Sequence, residues 1–270
     1  MTDLTLPRRP LGRTGLAVSP LGLSGSFGIG ADAVERAFHE LSFNHFFVTP
    51  RMPGLVEGLR RLIRAGHRDR LVLQSGAWLP TGAGVERAWA AAARTLGTDY
   101  LDVFQVFWVR GRWYLAGRTA PALHRLRERG RIRAAAVSTH RRPLALQLAA
   151  EFDLDVLMLR YNAAHRGAER EVFDRLPDSR PGVVAYTATR WGRLLKPQDG
   201  LGPLTAPECY RFQLSHPKVD LALCGARTWD ELVEDVRGVL QGPLDERRMA
   251  EARAFGDAVH RSVAGRLGFG

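Results

Sequence analysis

Eight short apolar runs recur along the chain, each followed by a stretch whose apolar residues fall three and four apart. The runs are Pro20–Gly25, Phe43–Val48, Leu71–Ser75, Leu101–Phe107, Ile132–Ser138, Val156–Tyr161, Val183–Thr187 and Val219–Cys224. The stretches between and after them predict helices over Ala33–Leu41, Gly54–Ala65, Gly84–Leu96, Ala120–Arg129, Arg142–Glu151, Arg166–Leu176, Ala206–Leu214 and Trp229–Leu240. Strands that are apolar almost throughout belong in a parallel sheet covered by helices, and eight such units close the sheet into a (β/α)8 barrel. Gly66, Gly97 and Gly130 stand where helices must stop and turn back. An open doubly wound sheet is the alternative, but its G-x-G-x-x-G turn is missing, since LSGSFGIGAD is only loosely glycine-rich. No low-complexity linker divides the chain, so residues 1–270 read as one domain.

Charge needs separate treatment, because 39 Lys and Arg against 28 Asp and Glu leave a net charge of +11. Lys196 and Lys218 are the only lysines, and the densest run, Arg125, Arg127, Arg129, Arg131 and Arg133, steps by two. On a helix successive members of that run point about 200° apart, so they form no stripe for a phosphate backbone. A basic surface drawing anionic small molecules is expected, with no nucleic-acid partner. No apolar run nears membrane-spanning length and the polar start resembles no secretory signal, which predicts a cytoplasmic protein with no membrane partner. Cys209 and Cys224 fit no metal spacing or disulfide framework and read as reduced core residues.

In such a barrel, function sits on the loops after the strands. Those loops carry Gln74 and Ser75; Phe107, Trp108 and Arg110; Ser138, Thr139 and His140; Arg160, Tyr161, Asn162 and His165; and Tyr186, Thr187, Thr189, Arg190 and Trp191. Paired carboxylates are missing, which excludes glycosidase-type chemistry. Two histidines are too few for a metal, and no metal is expected. Ser75 and Ser138 lack the spaced base that a nucleophile needs. His140 and His165 are the candidates for moving a proton, and Arg160 and Arg190 could clamp an anion or close the loops as ion pairs.

Several ordered segments resemble the aldo-keto reductases: LGRTGLAVSPLGLSG (Leu11–Gly25), LGTDYLDVFQVFW (Leu96–Trp108), ALHRLRERGRIRAAAVS (Ala122–Ser138), RYN (Arg160–Asn162), VVAYTATRWGRLL (Val183–Leu195) and LCGARTWDELVEDV (Leu223–Val236). The resemblance implies a TIM barrel of the aldo-keto reductase type, with a hairpin over about 5–19 plugging its base and a C-terminal helix or tail over about 245–270. It also implies carbonyl reduction with NADP(H). The family's tetrad of Asp, Tyr, Lys and His falls here on Val48, Pro53, Ser75 and Phe107; a register shifted onto Asn44 gives Phe47 and Met52 for the first two. None of these donates a proton, so the family's tyrosine route is not expected, and the active site is non-standard.

For the cofactor, Ser138 matches the carboxamide-binding serine, Thr139 its Asn neighbour, Met158 the usual Gln, Tyr186 the nicotinamide-stacking aromatic and Arg227 the phosphate or adenine contact. Glu231 and Asp235 replace the adenine-side Gln and Asn and set two carboxylates against a polyanion unless Arg227 and Arg237 neutralise them. The loop between Leu195 and Thr205 is short beside the family's pyrophosphate cover. Trp108, Arg110, Asn162 and Trp191 are candidate substrate contacts. The leading expectation is a divergent NADP(H)-binding oxidoreductase acting on a small organic molecule, neutral or anionic, with His140 or His165 as proton donor. A cofactor-independent lyase, cyclase or isomerase and a non-catalytic binding or scaffold protein are the alternatives.

Overall fold

The chain enters through an antiparallel hairpin, β1 (Arg9–Pro10) and β2 (Ala17–Val18), in which Arg9 faces Val18. The computed structural model describes residues 4–267, with side chains to residue 262. The eight apolar runs then become β3 (Leu21–Ser24), β4 (His45–Phe47), β5 (Val72–Ala77), β6 (Leu101–Val106), β7 (Ile132–Thr139), β8 (Val156–Arg160), β9 (Gly182–Tyr186) and β10 (Leu221–Cys224). All pair in parallel in chain order, and β10 closes the barrel on β3 with Ala222 beside Leu21.

Around the barrel lie α1 (Ala31–Glu40), α2 (Pro53–Arg64), α3 (Gly82–Leu96), α4 (Thr119–Glu128), α5 (Arg142–Glu151), α6 (Ala168–Glu171), α7 (Ala206–Leu214) and α8 (Trp229–Val239), with α9 (Glu246–Leu267) following. One expectation is corrected: the helix read over Arg166–Leu176 is a single turn, α6, followed by a 3-10 turn at Phe173–Arg175. Val172 breaks it by leaving the helical region (φ −129°, ψ −59°), and both Val172 and Phe173 are thereby buried. The structure extends β5 to Ala77, two residues beyond the run that seemed to end before Gly76.

The hairpin packs against the base of the barrel. Leu11, Leu16 and Val18 pack with Val72, Val103, Val156, Val184 and Leu221 in one interior cluster. Gly12 makes this approach workable: its φ is +50°, and a Cβ there would lie 2.2 Å from the Gly182 backbone nitrogen. A repeated device locks strand register at the base. Asn44 Oδ1, Asp102 Oδ2, Asp155 Oδ2 and Asp220 Oδ2 accept the backbone N–H of Ser19, Leu73, Ala135 and Val183, at 2.8, 2.9, 2.8 and 2.9 Å. Each sits at the start of an alternate strand, β4, β6, β8 or β10, and reaches back to the strand before it or the residues leading into that strand. Arg68, Arg127 and Arg180 pair with the three aspartates at 2.9, 3.0 and 2.6 Å. Part of the arginine excess is therefore structural.

Higher in the barrel runs a buried polar rung. His45 Nε2 meets Gln74 Oε1 at 2.9 Å, Gln74 Nε2 donates to Gln105 Oε1 at 2.8 Å, and Gln105 Nε2 donates to Met158 Sδ at 3.2 Å. Met158 also lines the cavity at the strand C-terminal end, so the rung lies next to its floor. Cys209 and Cys224 are both buried and unbonded to each other. Among the described residues no helix is long and apolar enough to cross a membrane.

Candidate active site

The C-terminal ends of the strands open into a cavity of about 1100 Å³. It is large by the standard of small-molecule sites, which run to about 1,000 Å³. It extends from Phe47, Ser75, Phe107 and Trp108 past Ser138, Met158 and Tyr186 to Arg227, Glu231, Glu234 and Asp235. One wall is a connected set of rings. Phe47 meets Phe107 edge-on at 6.0 Å, Phe107 stacks on Trp78 at 4.5 Å, and Trp78 meets Trp108 at 5.3 Å. Trp108 lies 6.0 Å from His140, which lies 5.9 Å from Tyr186.

The proton-bearing group on this wall is Tyr186, at the end of β9. Its hydroxyl lies 3.2 and 3.3 Å from the two His140 ring nitrogens. Burial pushes the phenol up to about 12, opposed by the charge of Arg160. His140 is held below its ordinary value by burial and by the same arginine. Arg160 Nε is buried without a hydrogen-bond partner among the described residues, so its charge stays directed at this pair. Ser138 Oγ accepts the Trp108 N–H at 2.9 Å and keeps its own hydrogen to donate.

Backbone strain gathers on the same rim. Trp108, Thr187, Arg190 and Trp191 hold φ of 52°, 58°, 50° and 53°, a left-handed conformation that bulky and β-branched residues rarely adopt. Such outliers persist where surrounding structure enforces them, and they collect at functional sites.

The opposite end is acidic. Asp235 is buried and accepts from Cys224 Sγ at 3.2 Å. Burial raises its carboxyl to about 7, with Glu234 and Glu231 adding to the rise and the Cys224 contact opposing it. Glu231 Oε2 accepts the Arg227 backbone N–H at 2.7 Å, and Thr228 Oγ1 accepts from Glu231 N at 3.2 Å, which caps α8.

The structure divides the residues singled out in the sequence. Ser75, Phe107, Trp108, Ser138, Tyr186, Trp191 and Arg227 line the cavity, and His140 reaches it through Tyr186. Thr139, Asn162, His165, Arg110, Arg160 and Arg190 do not line it. Thr139 Oγ1 donates to Val109 O, and Asn162 Nδ2 to Thr187 O. His165 Nδ1 is bound to Asn162 Oδ1 at 3.0 Å, and burial with Arg160 and Arg190 nearby drives it down to about 3. Arg190 is buried and donates to Val259 O of α9 at 2.6 Å, so it holds the tail helix in place of an anion. The Arg110 carbonyl accepts from Arg141, and the Arg110 side chain is absent from the lining.

Val48 is buried, and Pro53 opens α2; neither lines the cavity. Arg237 is absent from the lining as well. Sequence reading missed Trp78, Phe27, Arg51 and Glu234, all of which line it. Trp78 was legible only if β5 ran through Gly76. Part of the tail read over 245–270 lies outside the described residues.

Comparison with known proteins now bears on this geometry. The family model for the aldo/keto reductase family matches residues 79–205. The chain is aldo-keto reductase-like in sequence and in fold. Among solved structures it is similar to the holo form of aldo-keto reductase AKR11C1 from Bacillus halodurans, with 21% identity and a TM-score of 0.77, covering 93% of this chain and 96% of that one. It is also similar to an aldo-keto reductase assignment from Pseudomonas aeruginosa, with 25% identity and a TM-score of 0.69, covering 87% and 94%. A third, the thermostable aldo-keto reductase Tm1743 in complex with the inhibitor epalrestat, shares 20% identity with a TM-score of 0.75 and is covered over its full length against 93% of this chain. No curated protein matches the chain in sequence.

Proposed function

We propose that this barrel is an oxidoreductase that binds a nicotinamide dinucleotide along the cavity and reduces a small apolar carbonyl compound. Its proton passes through Tyr186 in place of a tyrosine beyond β4. One observation carries this reading: a cavity phenol at the end of β9 is bonded to a histidine, while the ends of β4, β5 and β6 offer Phe47, Ser75 and Phe107, none of which carries a phenol, carboxyl, imidazole or ammonium group to give up a proton.

The residues fit the nicotinamide end of the cofactor. Ser138 presents a free hydroxyl hydrogen on the cavity surface, suited to a carboxamide oxygen. When bound, the cofactor supplies a hydride. The chain's own residues handle the charge that then develops on the carbonyl oxygen. Burial weakens Tyr186 as an acid, to about 12, but its phenol stays protonated at neutral pH and remains more acidic than the alcohol being formed, so its hydroxyl proton passes to that oxygen. The phenolate left behind is stabilised by Arg160, and His140, at the surface, connects the phenol to solvent for reprotonation. The rings of Trp78, Phe107 and Trp108 hold an apolar substrate body.

Titrating the chain with reduced and oxidised nicotinamide dinucleotides tests the reading by tryptophan fluorescence and thermal unfolding. Occupancy at ~100 times the dissociation constant adds about 2.7 kcal/mol of stability. A chain indifferent to every nicotinamide nucleotide contradicts it.

A further inference from the structure

Within that site, we infer that the end built by the loop after β10 and the start of α8 selects a dinucleotide without a phosphate on the adenosine ribose, NAD(H) over NADP(H). The inference rests on the dinucleotide reading, with its adenosine half toward α8 as the resemblance implies.

Charge is the first ground. Glu231, Glu234 and Asp235 line this end, and Arg227 is the cation beside them; the other lining arginine, Arg51, comes from the loop after β4, two strands away in the barrel order. A dianionic ribose phosphate would meet the exposed carboxylates of Glu231 and Glu234 with one guanidinium to offset them, and like charges brought together disfavour a ligand even where solvent screens them.

Occupied donors are the second ground. A helix N-terminus is a ready seat for phosphate. At the start of α8, Glu231 N is taken by Thr228 Oγ1, and Glu231 Oε2 accepts from Arg227 N just before the helix, so a carboxylate already stands at this terminus. A phosphate at this terminus would stand beside that carboxylate, and the two anions would compete for the same positive end of the helix.

The third ground is what these groups offer instead. Glu231 Oε1 carries no hydrogen bond among the described residues, and a carboxylate oxygen accepts from ribose hydroxyls, the usual discriminator for NAD over NADP. The same acids that reject the phosphate thus recognise the bare diol.

The test measures dissociation constants for NAD⁺, NADH, NADP⁺ and NADPH by fluorescence quenching on the wild-type chain and on Glu231→Gln/Glu234→Gln, with thermal unfolding to verify folding. We expect the phosphate-free pair to bind about tenfold more tightly to the wild type, and the double variant to lose most of that preference through tighter NADP(H) binding. If the double variant does not fold, the single change Glu234→Gln, on an exposed side chain, replaces it. Equal or tighter NADP(H) binding by the wild type overturns the selectivity and leaves the dinucleotide reading standing, as does a preference that survives the acid-to-amide changes. Failure of all four nucleotides to bind overturns the dinucleotide reading itself.

Discussion

Trp191 keeps a left-handed backbone (φ 53°) while its indole, 65% exposed, lines the cavity. Holding an exposed aromatic at a strained position costs on the order of 1 kcal/mol, and core packing does not repay it, since the ring faces the cavity and solvent. Trp191→Gly should raise the melting temperature slightly and weaken dinucleotide or substrate binding, a pair of opposite shifts that calorimetry and titration resolve together. Asp235 carries a second residue-scale cost. Its folded value near 7 lies above the ordinary 3.8, so the native state holds a proton that the unfolded chain has released, and stability falls as pH rises from about 4 to 7. Asp235→Asn should therefore be roughly neutral near pH 4 and stabilising by ~2–4 kcal/mol at pH 8, as urea melts at the two pH values would report. At this scale the sequence was only half readable. Tyr186 and His140 stood out as residue types, but their contact depends on which way two loops turn. Arg190 and His165 looked equally promising, and their directions are set by α9 and by Asn162, which no spacing reveals.

The side-chain-to-backbone locks at the base explain how eight short strands hold one register. A one-residue slip in any strand would turn its side chains to the wrong face. Asp102 is fully buried, accepts from Leu73 N and pairs with Arg68 at 2.9 Å and Arg133 at 3.3 Å. Asp102→Ala strands a buried backbone donor and leaves Arg68 without its carboxylate; about 3 kcal/mol of stability should be lost, read from denaturant unfolding. An unchanged midpoint would deny these locks their role. Element order was plain in the sequence because continuous apolar runs and helical spacing differ in period. What escaped was local: Gly76 looked like a strand end, yet a side chain there would meet Gln105 O at 2.5 Å, so the glycine serves close strand approach. The break at Val172 escaped too, because the apolar spacing over 166–176 does not mark the residue at which the backbone leaves the helical region.

At the scale of the whole molecule, acid should unfold the barrel early. His45 is buried inside it with a value near 4, and His165 sits near 3, both below the ordinary 6.5. A histidine whose folded value is lowered contributes its full stability above about 6.5 and loses it as pH falls from there toward 4. The histidine contribution should be steady above pH 6.5 and decline below it, against the opposite slope of Asp235; in the Asp235→Asn background unfolding free energy should fall below pH 6.5, and His45→Gln should flatten part of that slope. α9 closes the assembly from the side of β8 and β9. Arg166 pairs with Asp257 at 2.8 Å, Arg253 with Glu169 at 2.8 Å, and Arg190 with the Val259 carbonyl. The tail therefore braces the loops that carry Tyr186, and the cavity is left to the rings and acids of the strand ends.

The proton route through that phenol is the claim on which the rest depends, and turnover measures it directly: consumption of reduced nicotinamide dinucleotide with a panel of small aromatic aldehydes, by the wild type, Tyr186→Phe and His140→Ala. The account predicts turnover by the wild type, a loss of about 100-fold or more in Tyr186→Phe with cofactor binding retained, and a smaller loss in His140→Ala. Undiminished turnover by Tyr186→Phe would contradict it.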